Sequence, residues 1–186
     1  MDFDSRIVRP NHDTHLSVDC TDCRIPQRGP YFASHKFKGK SALRYKIGLG
    51  ILQGDIKWLN GPYPAGKYSD ITIFRDCLMT FLEPTERVEA DDGYIAESPW
   101  KTKCPGAVLT RSGEEEDNQQ KRVQGRHETV NARMKFFTIL AVPFRHDVSQ
   151  HGYVFRAVAC LVQLSIKNGD PLYDCKYRVV FDDDEE

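Results

Sequence analysis

Apolar and polar positions change period several times along this chain. Leu16 to Ile25 alternates in part, with Val18, Cys20 and Cys23 on apolar positions, and reads as a first strand. The segment ALRYKIGLGILQGDIKWLNG reads as two more strands, about 42–52 and 55–60, joined by a tight turn at Gln53-Gly54-Asp55. Between the first strand and this pair lies a loop, 26–41, with Pro26, Gly29, Pro30 and Gly39 and the cations Lys36, Lys38 and Lys40. GPYPAGKYSD is a second Pro/Gly loop. Ser69 then stands as a helix N-cap, and Ile71, Phe74, Leu78, Phe81 and Leu82 follow at helical spacing, predicting a helix over 70–82 that stops before Pro84.

RVEADDGY reads as a short strand running into a turn at Gly93, and 97–113 as loop. A charged helix is predicted from near Glu114 to about Leu140, with a break near Gly125, and an apolar-faced one over 148–167. The order is three strands as a meander, a helix, a strand, then two helices. It predicts an α/β fold, a central mixed sheet flanked by helices. The ribonuclease H-like fold has this order, although order alone does not choose it over other α/β folds. The expected organisation is a flexible leader over 1–14, one domain over 15–178 and an acidic tail over 179–186.

Length and composition narrow the class. The 186 residues are 40% hydrophobic and 11% aromatic, enough for one packed core and too apolar for wholesale disorder. No apolar run approaches the ~18 residues of a membrane helix, and the start, MDFDSRIVRP, has no apolar signal segment. The net charge of −1 argues at first against a nucleic-acid binder. It conceals a pattern: 20–60 and 121–178 each carry net +6, while 83–120 carries −6 and the last eight residues −5. A chance pattern with a solvated acidic loop and tail explains the same blocks.

Six cysteines are present, and reduced thiols are the default reading. Cys20 and Cys23 form a C-x-x-C pair, but no second pair exists for a zinc ribbon, and a strand is the wrong context for a redox motif.

The candidate chemistry lies in carboxylates. Asp19 stands inside an apolar strand, where an acid is costly unless paired or bound to a cation. Asp91 ends the fourth strand, and in open α/β sheets sites gather at strand carboxyl ends. Asp70 opens the first helix, and Glu128 sits in the late helix among Arg122, Arg126, Arg133 and Lys135. Acids converging from separate elements suit hard divalent cations, and a metal pair can activate water for phosphodiester cleavage. Singly, each has a plainer reading: Asp70 as a helix-start charge, Asp91 or Asp92 as a turn residue, Glu128 as a solvated helix acid.

The segments VDCTDCRI, GPYPAGKYSDITIFRDCL, EADDGY, RHETVNARMKFFTILAVPFRH and HGYVFRAVACLVQLSI occur in that order. Together they resemble the catalytic domain of PIF/Harbinger-type transposases and transposase-derived nucleases, the DDE superfamily endonucleases. The family pattern is roughly V-D-G-T, then P-G-S-x-x-D before a helix, then D-x-G-Y, then Glu followed seven residues later by Lys. Glu128 and Lys135 keep that spacing, and the resemblance spans about 15–173.

The resemblance implies a divalent-metal-dependent DNA endonuclease on a ribonuclease H-like fold, using Mg²⁺ or Mn²⁺. It implies Asp19, Asp91 and Glu128 as the catalytic triad and Asp70 as a further metal ligand. The D-x-G-Y register selects Asp91 over Asp92. Lys135 and Arg126 would face DNA phosphates, or else form a solvated helix face. The implied partners are DNA and a Myb-like DNA-binding protein, with no membrane, and the implied location is the nucleus. Three departures stand out. Lys67 and Tyr68 fall where small or polar residues are common. Cys20 occupies the usual Gly position, where close backbone approach would bring strain. Only eighteen residues precede Asp19, where such transposases carry a helical DNA-binding region. The alternatives are a fragment of a longer gene, or a catalytically inactive, domesticated DNA- or protein-binding domain.

Overall fold

The computed structural model describes residues 2–7, 12–104 and 113–175, with 113–117 as backbone only. The strands are β1 (Thr14–Arg24), β2 (Ala42–Gly50), β3 (Ile56–Pro64), β4 (Arg87–Glu89) and β5 (Thr102–Lys103). The helices are α1 (Asp70–Asp76), α2 (Gly113–Phe136), α3 (Thr138–Ala141) and α4 (His151–Lys167). The strands form one mixed sheet in the order β3-β2-β1-β4-β5. The β1–β2 and β2–β3 pairs are antiparallel, whereas β1–β4 and β4–β5 are parallel. The architecture is α/β, a five-stranded mixed sheet flanked by helices.

β1 is the central strand and is covered on both faces, which explains why its hydrophobic alternation is only partial. Leu16 and Val18 pack with Phe74 and Leu78 from the α1 side and with Val88 and Tyr94. Cys23 joins the opposite core with Tyr45, Ile47, Val130, Met134, Phe155 and Val162, built from β2, α2 and α4. Phe155 of α4 stacks on Tyr45 at 3.7 Å between ring centres. The Tyr45 hydroxyl meets Nδ1 of buried His151 at 2.6 Å. The β2–β3 turn closes where expected: Gly54 takes φ +72°, a region that favours glycine, and its N–H donates to Gly50 O at 2.8 Å.

Several boundaries differ from the sequence reading. α1 stops at Asp76 instead of 82, and Leu78–Phe81 forms a separate 3₁₀ turn. Cys77 breaks the helix with its carbonyl held by the Thr80 hydroxyl at 2.7 Å and its sulfur 3.1 Å from the Tyr63 hydroxyl. β5 lies in the stretch expected to be loop, paired through Val88↔Thr102 and Glu89↔Lys103. α2 runs unbroken through Gly125, where the Tyr173 hydroxyl lies 2.5 Å from where a Cβ would stand. Glycine there allows close approach. Within the expected leader, Arg6 is buried and its guanidinium grips the Glu86 carboxylate with two hydrogen bonds of 2.8 Å. The expected acidic tail 179–186 lies outside the described residues.

Candidate active site

Three of the four acids singled out in the sequence, Asp19, Asp70 and Asp91, lie near enough to the end of the parallel strand pair for their charges to act on one another. Ser17 of β1 pairs with Glu89 of β4. Two residues further along each chain stand Asp19 and Asp91. Asp19 Oδ1 accepts from its neighbour's amide, Cys20 N, at 2.6 Å. Asp91 caps the 3₁₀ turn Asp92–Glu97 by accepting from Gly93 N at 3.0 Å. Asp70 opens α1 behind the N-cap Ser69, whose Oγ accepts from Thr72 N at 3.3 Å.

The charges of these acids act on one another. Burial pushes the Asp19 carboxyl above its ordinary range, Asp70 adds to the rise, and Lys36 opposes it. Burial also raises Asp91, and the charge of Asp19 comes next. A pair of acids held above their usual range is costly to ionise and would be relieved by a cation.

Asp70 has another partner. Arg44 donates from Nη1 to Asp70 at 2.7 Å and from Nε to Asp22 at 2.8 Å. Burial alone would raise Asp22, but hydrogen bonds from Arg44 and Ser34 hold it below the usual carboxylate range. Below the acids lies Lys46, fully buried, donating from Nζ to the Asp70 carbonyl at 3.0 Å and to the Tyr94 hydroxyl. Its ammonium sits 4.1 Å from the centre of the Tyr94 ring. Burial lowers its pKa, although the surrounding acids pull the other way. The sequence reading missed Arg44, Lys46 and Asp22. Their signal was available: two cations at alternate positions of the apolar run LRYKIGL must be paired if that strand is buried.

Glu128 takes a different place. α2 packs on β1 through its neighbour His127, whose Nε2 lies 2.9 Å from Ser17 Oγ. Adjacent helix residues are turned by about 100°, and Glu128 is exposed, its charge acting on Tyr173. Among the described residues, no three His, Cys, Asp or Glu side chains converge closely enough to hold a metal ion.

Other expectations are corrected or refined. Arg126 is buried, donating to the carbonyls of Ile51 at 2.7 Å, Leu52 at 3.1 Å and Tyr173 at 3.0 Å, so it cannot face DNA phosphates. It fastens α2 to the β2–β3 turn. Lys135 is half-buried, and its charge acts on Cys23. Cys20 and Cys23 lie on opposite faces of β1: Cys20 sulfur is 3.9 Å from the Tyr94 hydroxyl, while Cys23 belongs to the other core. Burial pushes both thiols up to about 12, which suits packing and not metal or redox work. Cys20 pairs regularly with Lys46 in the sheet.

No family model, no curated protein and no solved structure matches this chain.

Proposed function

We propose that this chain is a DDE-type, divalent-metal-dependent DNA endonuclease domain on a ribonuclease H-like fold. The observation that carries the reading is the placement of Asp19 on β1 and of Asp91 two residues beyond the end of its parallel neighbour β4, each raised by burial and Asp91 further by its neighbour's charge. The sheet order, with an antiparallel meander and two parallel strands beyond it, agrees with that fold. Asp19 and Asp91 fit a hard cation such as Mg²⁺ or Mn²⁺, being oxygen donors whose mutual repulsion a cation relieves. Asp70 fits less well, because Arg44 already occupies its carboxylate. Glu128, the third acid of the expected triad, is exposed on α2 and is not grouped with Asp19 and Asp91. A metal held by Asp19 and Asp91 supplies an activated water and a stabilised leaving oxygen. The chain's own residues position it: Cys20 N orients Asp19, Gly93 N orients Asp91, and the Ser17–His127 contact sets how α2 lies on β1. In this reading the chain works on DNA in the nucleus, with a Myb-like protein reading the sequence.

The test is nicking of supercoiled plasmid in Mg²⁺ or Mn²⁺. Asp19→Ala and Asp91→Ala should each abolish it, whereas Asp70→Ala should leave some. Nicking unchanged in both of the first two variants would overturn the proposal. The second reading, a domain that binds DNA or protein without cutting, is favoured by the Arg44–Asp70 pair and by the lack of a three-acid cluster among the described residues. Salt-sensitive binding without any metal-dependent nicking would select it.

A further inference from the structure

The segment 23–54 contains seven Lys or Arg and no acid, and its exposed part is the connection between β1 and β2. That connection has a built shape. A bridge between Ala33 and Ser41 closes it, Ser34 N donates to Lys40 O at 3.0 Å, and Gly39 N donates to Ser34 O at 2.8 Å. The tip turns through Lys38 at φ 52° and Gly39 at φ 81°. Its base is tied to the sheet by the Ser34 hydroxyl, which donates to buried Asp22 at 2.5 Å. Lys36 reaches back to donate to Cys20 O at 2.8 Å, and its charge acts on both Asp19 and Asp91. Lys38 and Lys40 are exposed, and neither has an ion pair among the described residues.

On the same connection stands Tyr31, 65% exposed. Its backbone is fixed: it lies in the 3₁₀ turn Pro30–Phe32, and its carbonyl accepts from Gly66 N at 2.9 Å. The neighbouring rings are already covered, Phe32 by Arg28 at 5.8 Å and Phe37 by Arg24 at 5.6 Å. An exposed aromatic side chain on a fixed turn, on the same connection as three lysines, suits an unpaired base and its phosphates.

We infer that the 26–41 connection binds single-stranded nucleic acid, with Tyr31 stacking on a base and Lys36, Lys38 and Lys40 following the backbone toward Asp19. The inference rests on the nucleic-acid reading of the acid site, and it sharpens the substrate to a strand that is unpaired beside that site.

The test is fluorescence anisotropy of the full chain with a labelled 20-nucleotide single strand and its duplex, in EDTA so that no cleavage occurs. Tyr31→Ala should weaken single-strand binding roughly ten-fold, and Tyr31→Phe should restore it. The triple variant Lys36→Ala, Lys38→Ala, Lys40→Ala should lower the slope of log affinity against log salt by about two. Wild-type affinity in Tyr31→Ala, or an unchanged slope in the triple variant, overturns the inference. So does polyglutamate competing as well as the oligonucleotide, which would make the patch a docking site for acidic protein. Because metal is absent, failure of the nicking assay leaves this result standing and removes only the nuclease reading. Loss of the hairpin effects with nicking intact removes only this one.

Discussion

Arg44 and Asp70 form an ion pair of 2.7 Å at the edge of the acid cluster, and the same guanidinium holds the fully buried Asp22 from its other side. Arg44 therefore keeps one acid out of the candidate metal set while satisfying another that has no access to water. Removing the guanidinium strands Asp22 as a buried, unpaired charge. Arg44→Met should cost about 3–5 kcal/mol in chemical denaturation at pH 7. Because Asp22 is held below the usual carboxylate range, the stability it contributes is present above the unfolded value near ~4 and is lost as pH falls through its folded value. The penalty of Arg44→Met should accordingly shrink in acid. A penalty constant from pH 7 to pH 3 would refute this account.

Asp19 has the opposite sign. Its folded pKa is raised, so ionising it opposes folding; that cost begins as pH rises through the unfolded carboxylate value and is complete above the folded value. Asp19→Asn removes the cost. Its thermal midpoint at pH 7 should equal or exceed that of the native chain, even as nicking is lost. The two midpoints should draw together in acid. A metal bound to the native chain at about 100 times its Kd should add about 2.7 kcal/mol, and Asp19→Asn should forfeit most of that gain. A lower midpoint in Asp19→Asn at pH 7 would show that this carboxylate is structural.

The meander and the placement of Asp19 were legible because long strands announce themselves. LSVDC and ALRYKIGLG are continuous, and the turn at Gln53-Gly54-Asp55 needs a glycine at φ +72°. Asp91 was legible because it follows a recognisable strand into a turn. β5 was not: two residues cannot show a period, and Thr102 and Lys103 become a strand only by pairing with Val88 and Glu89. Arg126 was misjudged, and Glu128, two positions on, lies differently. Both sit in a helix of mixed polarity, where neighbours two apart differ in fate: Arg126 is buried on backbone carbonyls and Glu128 is exposed. Only tertiary packing of α2 on β1 decides which.

Three buried histidines, His15, His127 and His151, each lowered by burial, make the fold sensitive to acid. His127 is fully enclosed against Ser17, and burial pushes it down to about 3; His151, bonded to Tyr45, is pushed down to about 4. Both are therefore neutral in the fold and titrate near ~6.5 when unfolded. Their stability is fully present above that unfolded value and is lost as pH falls toward the folded values. Each should cost about 1 kcal/mol per pH unit within its window. Denaturation midpoints measured between pH 7 and pH 4 should fall steeply, and His127→Leu should flatten the slope. An unaltered slope would mean that His127 takes its proton without disturbing the Ser17 contact.

Gly66 connects the β3–α1 loop to the turn that carries Tyr31. Its N–H donates to the Tyr31 carbonyl at 2.9 Å, and a Cβ built there would lie 2.6 Å from Pro30 O, 2.8 Å from Ala33 O and 2.9 Å from Ala33 N. All three are backbone atoms, so no side chain can swing aside. Gly66→Ala should therefore push the Pro30–Phe32 turn away and cost about 1–3 kcal/mol, the usual range for overpacking. The same variant should displace Tyr31 from its fixed position and weaken single-strand binding, while plasmid nicking falls less. Gly29→Ala is the matched control, since nothing lies within 4 Å of its Cβ position. Equal melting and equal binding in the two variants would show that the Gly66 contact does not hold the turn.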